Sequence, residues 1–113
     1  MSKRNDKLLV LDILDALNKI SNYTHGLSYK NFASDSKTVD AVTRNIEIIG
    51  EASKHLSKKF KDNIDLPWQR IIGMRNIIVH EYFGVDTKII WKIVTEQIES
   101  LKDVFEKSTE ELN

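Results

Sequence analysis

The residues best equipped for chemistry are Arg75, Asn76, His80, Glu81 and Tyr82, set close together in a stretch from Pro67 to Gly84 that is otherwise mostly apolar. A guanidinium stays charged at every accessible pH and grips a phosphate with two parallel hydrogen bonds. An imidazole, with an ordinary pKa near about 6.5, gives or takes a proton at neutral pH. At about 100° per helical residue, Arg75 and Tyr82 fall within roughly 20° of one line, while Asn76 and His80 share a second line at i, i+4 spacing. One helix edge would then offer a guanidinium, an amide, an imidazole and a phenol, enough to hold an anion, move a proton and stack on a base. The same set also reads as a satisfied hydrogen-bond cluster in a partly buried helix, since such clusters mark active sites only statistically.

The helix that would carry them has Ile71, Ile72, Met74, Ile77, Ile78, Val79 and Phe83 nearly all round it, the pattern of a helix buried on more than one side. Pro67 suits the first helical position and Gly84 the residue just past the end. Before it, the spacing of Leu8, Leu9, Leu11, Ile13, Leu14, Leu17, Ile20 and Tyr23 predicts a first helix from about Asn5 to Thr24, ended by Gly26. Leu27 to Ser34 reads as a connection whose Tyr29 and Phe32 pack back on the core. Asp35 or Ser36 caps a second helix to about Phe60, with Val39, Val42, Ile46, Ile49, Leu56 and Phe60 on its apolar stripe. Asp86 or Thr87 caps a fourth, through about Ser108, striped by Ile90, Ile93, Val94, Ile98, Leu101, Val104 and Phe105; Trp68 and Trp91 read as core anchors, and Glu106 to Asn113 as a frayed acidic end. No strand pattern interrupts this series. The expected architecture is all-α, an antiparallel bundle of about four helices in a single domain over residues 1–113.

Two glycines carry information about packing. Gly50 and Gly73 sit inside the second and third helices, where a glycine costs about 1 kcal/mol relative to alanine, so each is expected where another backbone or a bound group comes close. Tight packing of these two helices would bring some of Arg44, Asn45, Glu47 and Glu51 to the polar edge, with Glu51 placed to pair with Arg75. The basic run Lys54 to Lys61, which includes His55, Lys58 and Lys59, reads better as a solvated helix end than as a phosphate track.

Composition narrows the function classes. At 113 residues, Lys plus Arg and Asp plus Glu stand at 17 each, so bulk electrostatic coating of nucleic acid is excluded and any such contact must be local. The chain has no cysteine, hence neither disulfide nor thiolate chemistry. Met1 to Lys7 leads into no apolar run long enough for a signal peptide or a membrane span, and a cytoplasmic protein is expected. In that compartment the sequon Asn22-Tyr23-Thr24 is a chance match. His80-Glu81 begins a zincin-like string without its second histidine, so no metal site is expected. No phosphate-cradling glycine loop or serine nucleophile elbow occurs. The duplicated strings Ile-Ile-Gly and Arg-Asn-Ile fall short of a repeat architecture.

The string Arg75-Asn76-Ile77-Ile78-Val79-His80-Glu81-Tyr82 resembles the Arg-x4-His-x-Tyr motif of HepT-like toxins of the HEPN superfamily. Tyr23-Thr24-His25-Gly26-Leu27, Arg44-Asn45-Ile46-Glu47-Ile48-Ile49-Gly50-Glu51-Ala52, Pro67-Trp68 and Phe83-Gly84-Val85-Asp86 resemble that family in the same order, so the likeness runs from about Asp6 to Phe105. The resemblance implies an all-helical, two-fold homodimeric endoribonuclease that uses neither metal nor cofactor. It implies the toxin of a type VII toxin–antitoxin system, whose partner, a minimal nucleotidyltransferase antitoxin, adds AMP to the motif tyrosine, here Tyr82. Arg75 and His80 would be catalytic, Asn76 and Glu51 supporting or phosphate-contacting, and the products 2′,3′-cyclic phosphates. A non-catalytic subunit that binds nucleotide or substrate for a nucleotidyltransferase would share every motif residue, as would an interaction bundle tied together by Arg75 and His80.

Overall fold

A computed structural model describes residues 5–79 and 86–112, without the side chains of residues 77–79 and 111. Among the described residues every regular element is helical: α1 (Asp6–Thr24), α2 (Tyr29–Ser34), α3 (Ser36–His55), α4 (Lys58–Asn63), α5 (Trp68–Val79), α6 (Thr87–Glu96) and α7 (Ile98–Glu111). The all-α expectation holds, with the four expected helices divided more finely.

The long helices begin and end where local hydrogen bonding dictates. The Asn5 side chain accepts from the Leu8 amide at the start of α1, Asp35 does the same for Thr38 in α3, and Asp86 for Lys88 in α6. Each satisfies a first-turn N–H that the helix cannot. Gly26 closes α1 at φ +74°, a conformation glycine adopts without strain. Pro67 stands one place earlier than expected: its carbonyl accepts from Arg70 and Ile71, so it is the residue before α5 and not the first within it.

Three features depart from the expected boundaries for tertiary reasons. The second helix divides at Leu56–Ser57, where Asp6 of α1 takes both the backbone N–H and the hydroxyl of Ser57, and the Ser57 hydroxyl in turn accepts from Phe60 to start α4. The fourth helix breaks at Gln97. Ile93 and Ile98, five residues apart, would diverge by about 140° on one continuous helix, and the break lets both be buried. The connection after Gly26 contains α2, capped by Ser28, which drives Phe32 fully into the core. At the other end, α7 runs on to Glu111, past the expected stop at Ser108.

The core is one contiguous cluster. Val10, Ile13, Leu17 and Ile20 of α1 meet Val42, Ile46 and Ile49 of α3, with Ile90, Ile98 and Phe105 closing the far side. Burying each such side chain is worth about 1.5–3 kcal/mol. Both tryptophans are anchors at its edge. Trp68 packs edge-on against Phe60 and Phe105 and donates its indole N–H to the Lys61 and Ile64 carbonyls; Trp91 lies against Phe32 and Tyr29. The helix α5 packs chiefly on α3, and its Ile71 and Met74 are each 1% exposed. No described helix is long and apolar enough to cross a membrane.

Candidate nuclease site

The approach of α5 to α3 is set by Gly50. A Cβ there would stand 3.1 Å from the Arg75 Cβ, 3.2 Å from the Ile72 carbonyl oxygen and 3.3 Å from the Arg75 backbone nitrogen. These are backbone and stem atoms rather than flexible side-chain ends, so any side chain at this position would have to push the two helices apart by a few tenths of an ångström. The expectation for Gly73 fails within the chain: among the described residues nothing lies within 4 Å of the Cβ it lacks. Gly73 lies between the exposed Gln69 and the exposed Asn76 at helical spacing, on the side of α5 turned away from α3.

Close packing delivers the expected ion pair. The Arg75 Nε stands 3.1 Å from Glu51 Oε2, with both side chains a little under half exposed. That oxygen is itself buried and makes no hydrogen bond, so charge attraction and not a directed N–H···O bond holds the pair. The other carboxylate oxygen, Oε1, lies 3.1 Å from His55 Nε2, one turn on along α3. Glu51 therefore keeps its carboxyl below the ordinary range, first because of the His55 hydrogen bond and then because of the Arg75 charge, with partial burial opposing both.

This triad lies in a cleft of about 590 Å³ between α1, α3 and α5, lined also by Asp12, Asp15, Arg44, Asn45 and Glu47. All four α3 residues expected near Arg75 are there. Arg44 pairs with Glu47 at 3.6 Å. Asn45 is nearly buried and donates to the Ala41 carbonyl of its own helix, so its amide is committed to the helix. The α1 contribution, Asp12 and Asp15, was not apparent from the sequence. His55 had been grouped with the basic helix end; its i, i+4 spacing from Glu51 was the available signal. The rest of that basic run behaves as a solvated end, with Lys58 paired to Asp62 at 2.7 Å. His80, Glu81, Tyr82, Phe83 and Gly84 lie outside the described residues. Among the described residues no group of three or more His, Cys, Asp or Glu is arranged to hold a metal ion.

An arginine clamped on its inner nitrogen, in an open cleft beside a glycine-mediated helix contact, is suited to holding an oxyanion. A family model described as ribonuclease HepT-like matches residues 13–108. A protein of Thermococcus cleftensis named "Probable ribonuclease HepT" is 43% identical over 106 residues, covering 93% of this chain and 96% of its own. A Methanocaldococcus jannaschii protein named as a "Putative RNase" is 39% identical over 103 residues, covering 90% of this chain and 94% of its own. No solved structure matches the chain. The chain belongs to the HepT-like ribonuclease family.

Proposed function

We propose that this protein is an endoribonuclease that cuts RNA by internal transesterification, with Arg75 and His80 as catalytic groups in a site shared by two copies of the chain. The observation that carries the reading is Arg75 itself. At the arginine position of the motif, its guanidinium is held at Nε by Glu51 in an open cleft, among the residues of a ribonuclease-family chain.

The chemistry sets the requirements. A base must remove the 2′-hydroxyl proton, an acid must protonate the departing 5′-oxygen, and positive charge must meet the phosphorane between them. Arg75 supplies the charge, and His80 supplies a proton donor or acceptor. The 2′-oxygen attacks phosphorus as the P–O5′ bond breaks, leaving a 2′,3′-cyclic phosphate and a free 5′-hydroxyl. This balances without metal or cofactor. Each chain has one His80, whereas the reaction uses two proton-transfer groups, so a two-fold dimer that pairs the α5 helices would complete the site. The open position at Gly73 supports that arrangement: a crossing helix can approach closely there, and sequence spacing carries the line Gln69, Gly73, Asn76 on to His80. Asn76, exposed on that line, would orient the imidazole or meet the scissile phosphate.

The same reading makes the protein the cytoplasmic toxin of a type VII toxin–antitoxin system. A minimal nucleotidyltransferase antitoxin would silence it by adding AMP to Tyr82, placing bulk and negative charge in the path of RNA. A second reading draws on the cleft's own balance, in which Asp12, Asp15, Glu47 and Glu51 outnumber Arg44 and Arg75. An excess of carboxylates repels a many-phosphate RNA more than a single nucleotide, and the chain would then be a non-catalytic subunit that presents nucleotide to a nucleotidyltransferase. Incubation of the purified protein with RNA in the presence of a chelator separates the two. Cyclic-phosphate ends support the nuclease; intact RNA together with tight nucleotide binding supports the subunit.

A further inference from the structure

We propose that His55 is a positioning residue for Arg75, acting through the Glu51 carboxylate. The inference rests on the ribonuclease reading only for what Arg75 grips. Glu51 is held from two sides: Oε1 by His55 Nε2 and Oε2 by Arg75 Nε, each at 3.1 Å. The two contacts differ in kind. The His55 contact is a hydrogen bond, which fixes a direction; the Arg75 contact is an ion pair without one. A glutamate side chain 46% exposed keeps most of its rotamer freedom unless something fixes it. The imidazole supplies that constraint from the next turn of the same helix.

The consequence falls on the guanidinium. With Glu51 oriented against Nε, the carboxylate is kept off the two terminal amino groups of Arg75, a cleft-lining residue, and that pair can match two oxygens of a phosphate. A carboxylate free to rotate would instead compete for those amino groups and mask them. The charged groups around this relay are Asp12 and Asp15 from α1 and Arg44, Glu47 and Lys54 from α3. Among the described residues none of these displaces His55 from Glu51.

The test compares His55→Leu, which removes the donor, with His55→Gln, whose amide nitrogen restores one at similar reach. The His55 ring is 58% exposed, so His55→Leu should lower the melting temperature only slightly and His55→Gln less still. Loss of an exposed charge-assisted contact should lower kcat/KM for RNA cleavage about three- to fivefold in His55→Leu. His55→Gln should recover most of that loss. In a Glu51→Gln background, His55→Leu should cost nothing further, because the effect travels through the carboxylate. A second readout needs no cleavage: NMR relaxation of the Arg75 Nε–H group should show it ordered in the parent chain and in His55→Gln, and mobile in His55→Leu. Unchanged Arg75 order in His55→Leu, or fully additive losses in the double variant, overturns the proposal. If the parent chain cuts no RNA, the ribonuclease reading fails and the relaxation data alone decide the role of His55.

Discussion

Two glycines one helix apart show how this molecule divides its surfaces. Gly50 is crowded by three atoms of α5, and its missing side chain lets α5 come close to α3 at this point. Gly73, on α5 itself, has nothing near it among the described residues, although a mid-helix glycine costs about 1 kcal/mol of intrinsic stability. The first is accounted for by the fold of one chain. The second is not, and it lies beside exposed Asn76 on a line that sequence spacing alone extends to His80. The inward side of α5 builds the monomer and seats Arg75; the outward side is the one the proposed function assigns to the second chain and the substrate.

The largest effect should come where the two sides meet. Arg75→Ala should reduce RNA cleavage by about 10²- to 10³-fold, the usual loss when a group facing transition-state charge is removed. The melting temperature should move little, because the side chain is 43% exposed. A large fall in melting temperature with cleavage lost only in proportion would make Arg75 a structural tie and erase the division.

Gly50→Ala should come next, since its methyl would press on backbone and Cβ atoms 3.1–3.3 Å away. Forced overpacking of this kind costs typically about 1–3 kcal/mol. Urea unfolding should show it as a lowered midpoint, and cleavage should fall as well because Arg75 shifts with α5. Gly73→Ala should do the opposite to the isolated chain, stabilising it by about 0.5–1 kcal/mol through the alanine helix preference. If a second α5 crosses there, the same methyl weakens the dimer, which sedimentation equilibrium would register as a raised dissociation constant. Matching stabilisation with an unaltered dimer would move the interface elsewhere.

The smallest effect concerns Glu51. Its folded pKa lies below the unfolded value, so its stabilising contribution is fully present above the ordinary carboxyl value of 4.5 and disappears as pH falls through the lower folded value. The stability difference between the parent chain and Glu51→Gln should therefore shrink as pH falls through that range. A difference that persists at pH values under the folded pKa would show that the carboxylate charge is not what matters.

Much of this was legible in the sequence, and the pattern of success follows interaction range. The caps at Asp35 and Asp86 and the stop at Gly26 depend on groups two or three residues away, so residue type and position sufficed. The Glu51–Arg75 pair was legible because Gly50 marked a close helix contact and spacing put Glu51 beside it. The breaks were not. Ser57 starts a new helix because Asp6, far off in sequence, holds its N–H and hydroxyl, and Gln97 breaks the last helix because Ile93 and Ile98 must face the same core. His55 and the α1 carboxylates escaped for the same reason: which face of α1 and which end of α3 border the cleft depends on how three helices pack. The membership of the chain in the HepT-like family, by contrast, was carried by ordered motifs spread along nearly its whole length.

In the proposed reaction the imidazole of His80 and the guanidinium of Arg75 cut RNA together. A single-turnover assay of His80→Ala, alongside the parent chain, with chelator present and ends analysed for cyclic phosphate, tests it most directly. Cyclic-phosphate products are expected from the parent chain and a loss of about 10²- to 10⁴-fold in the variant, with helicity and melting temperature unchanged. Full activity in His80→Ala would contradict it.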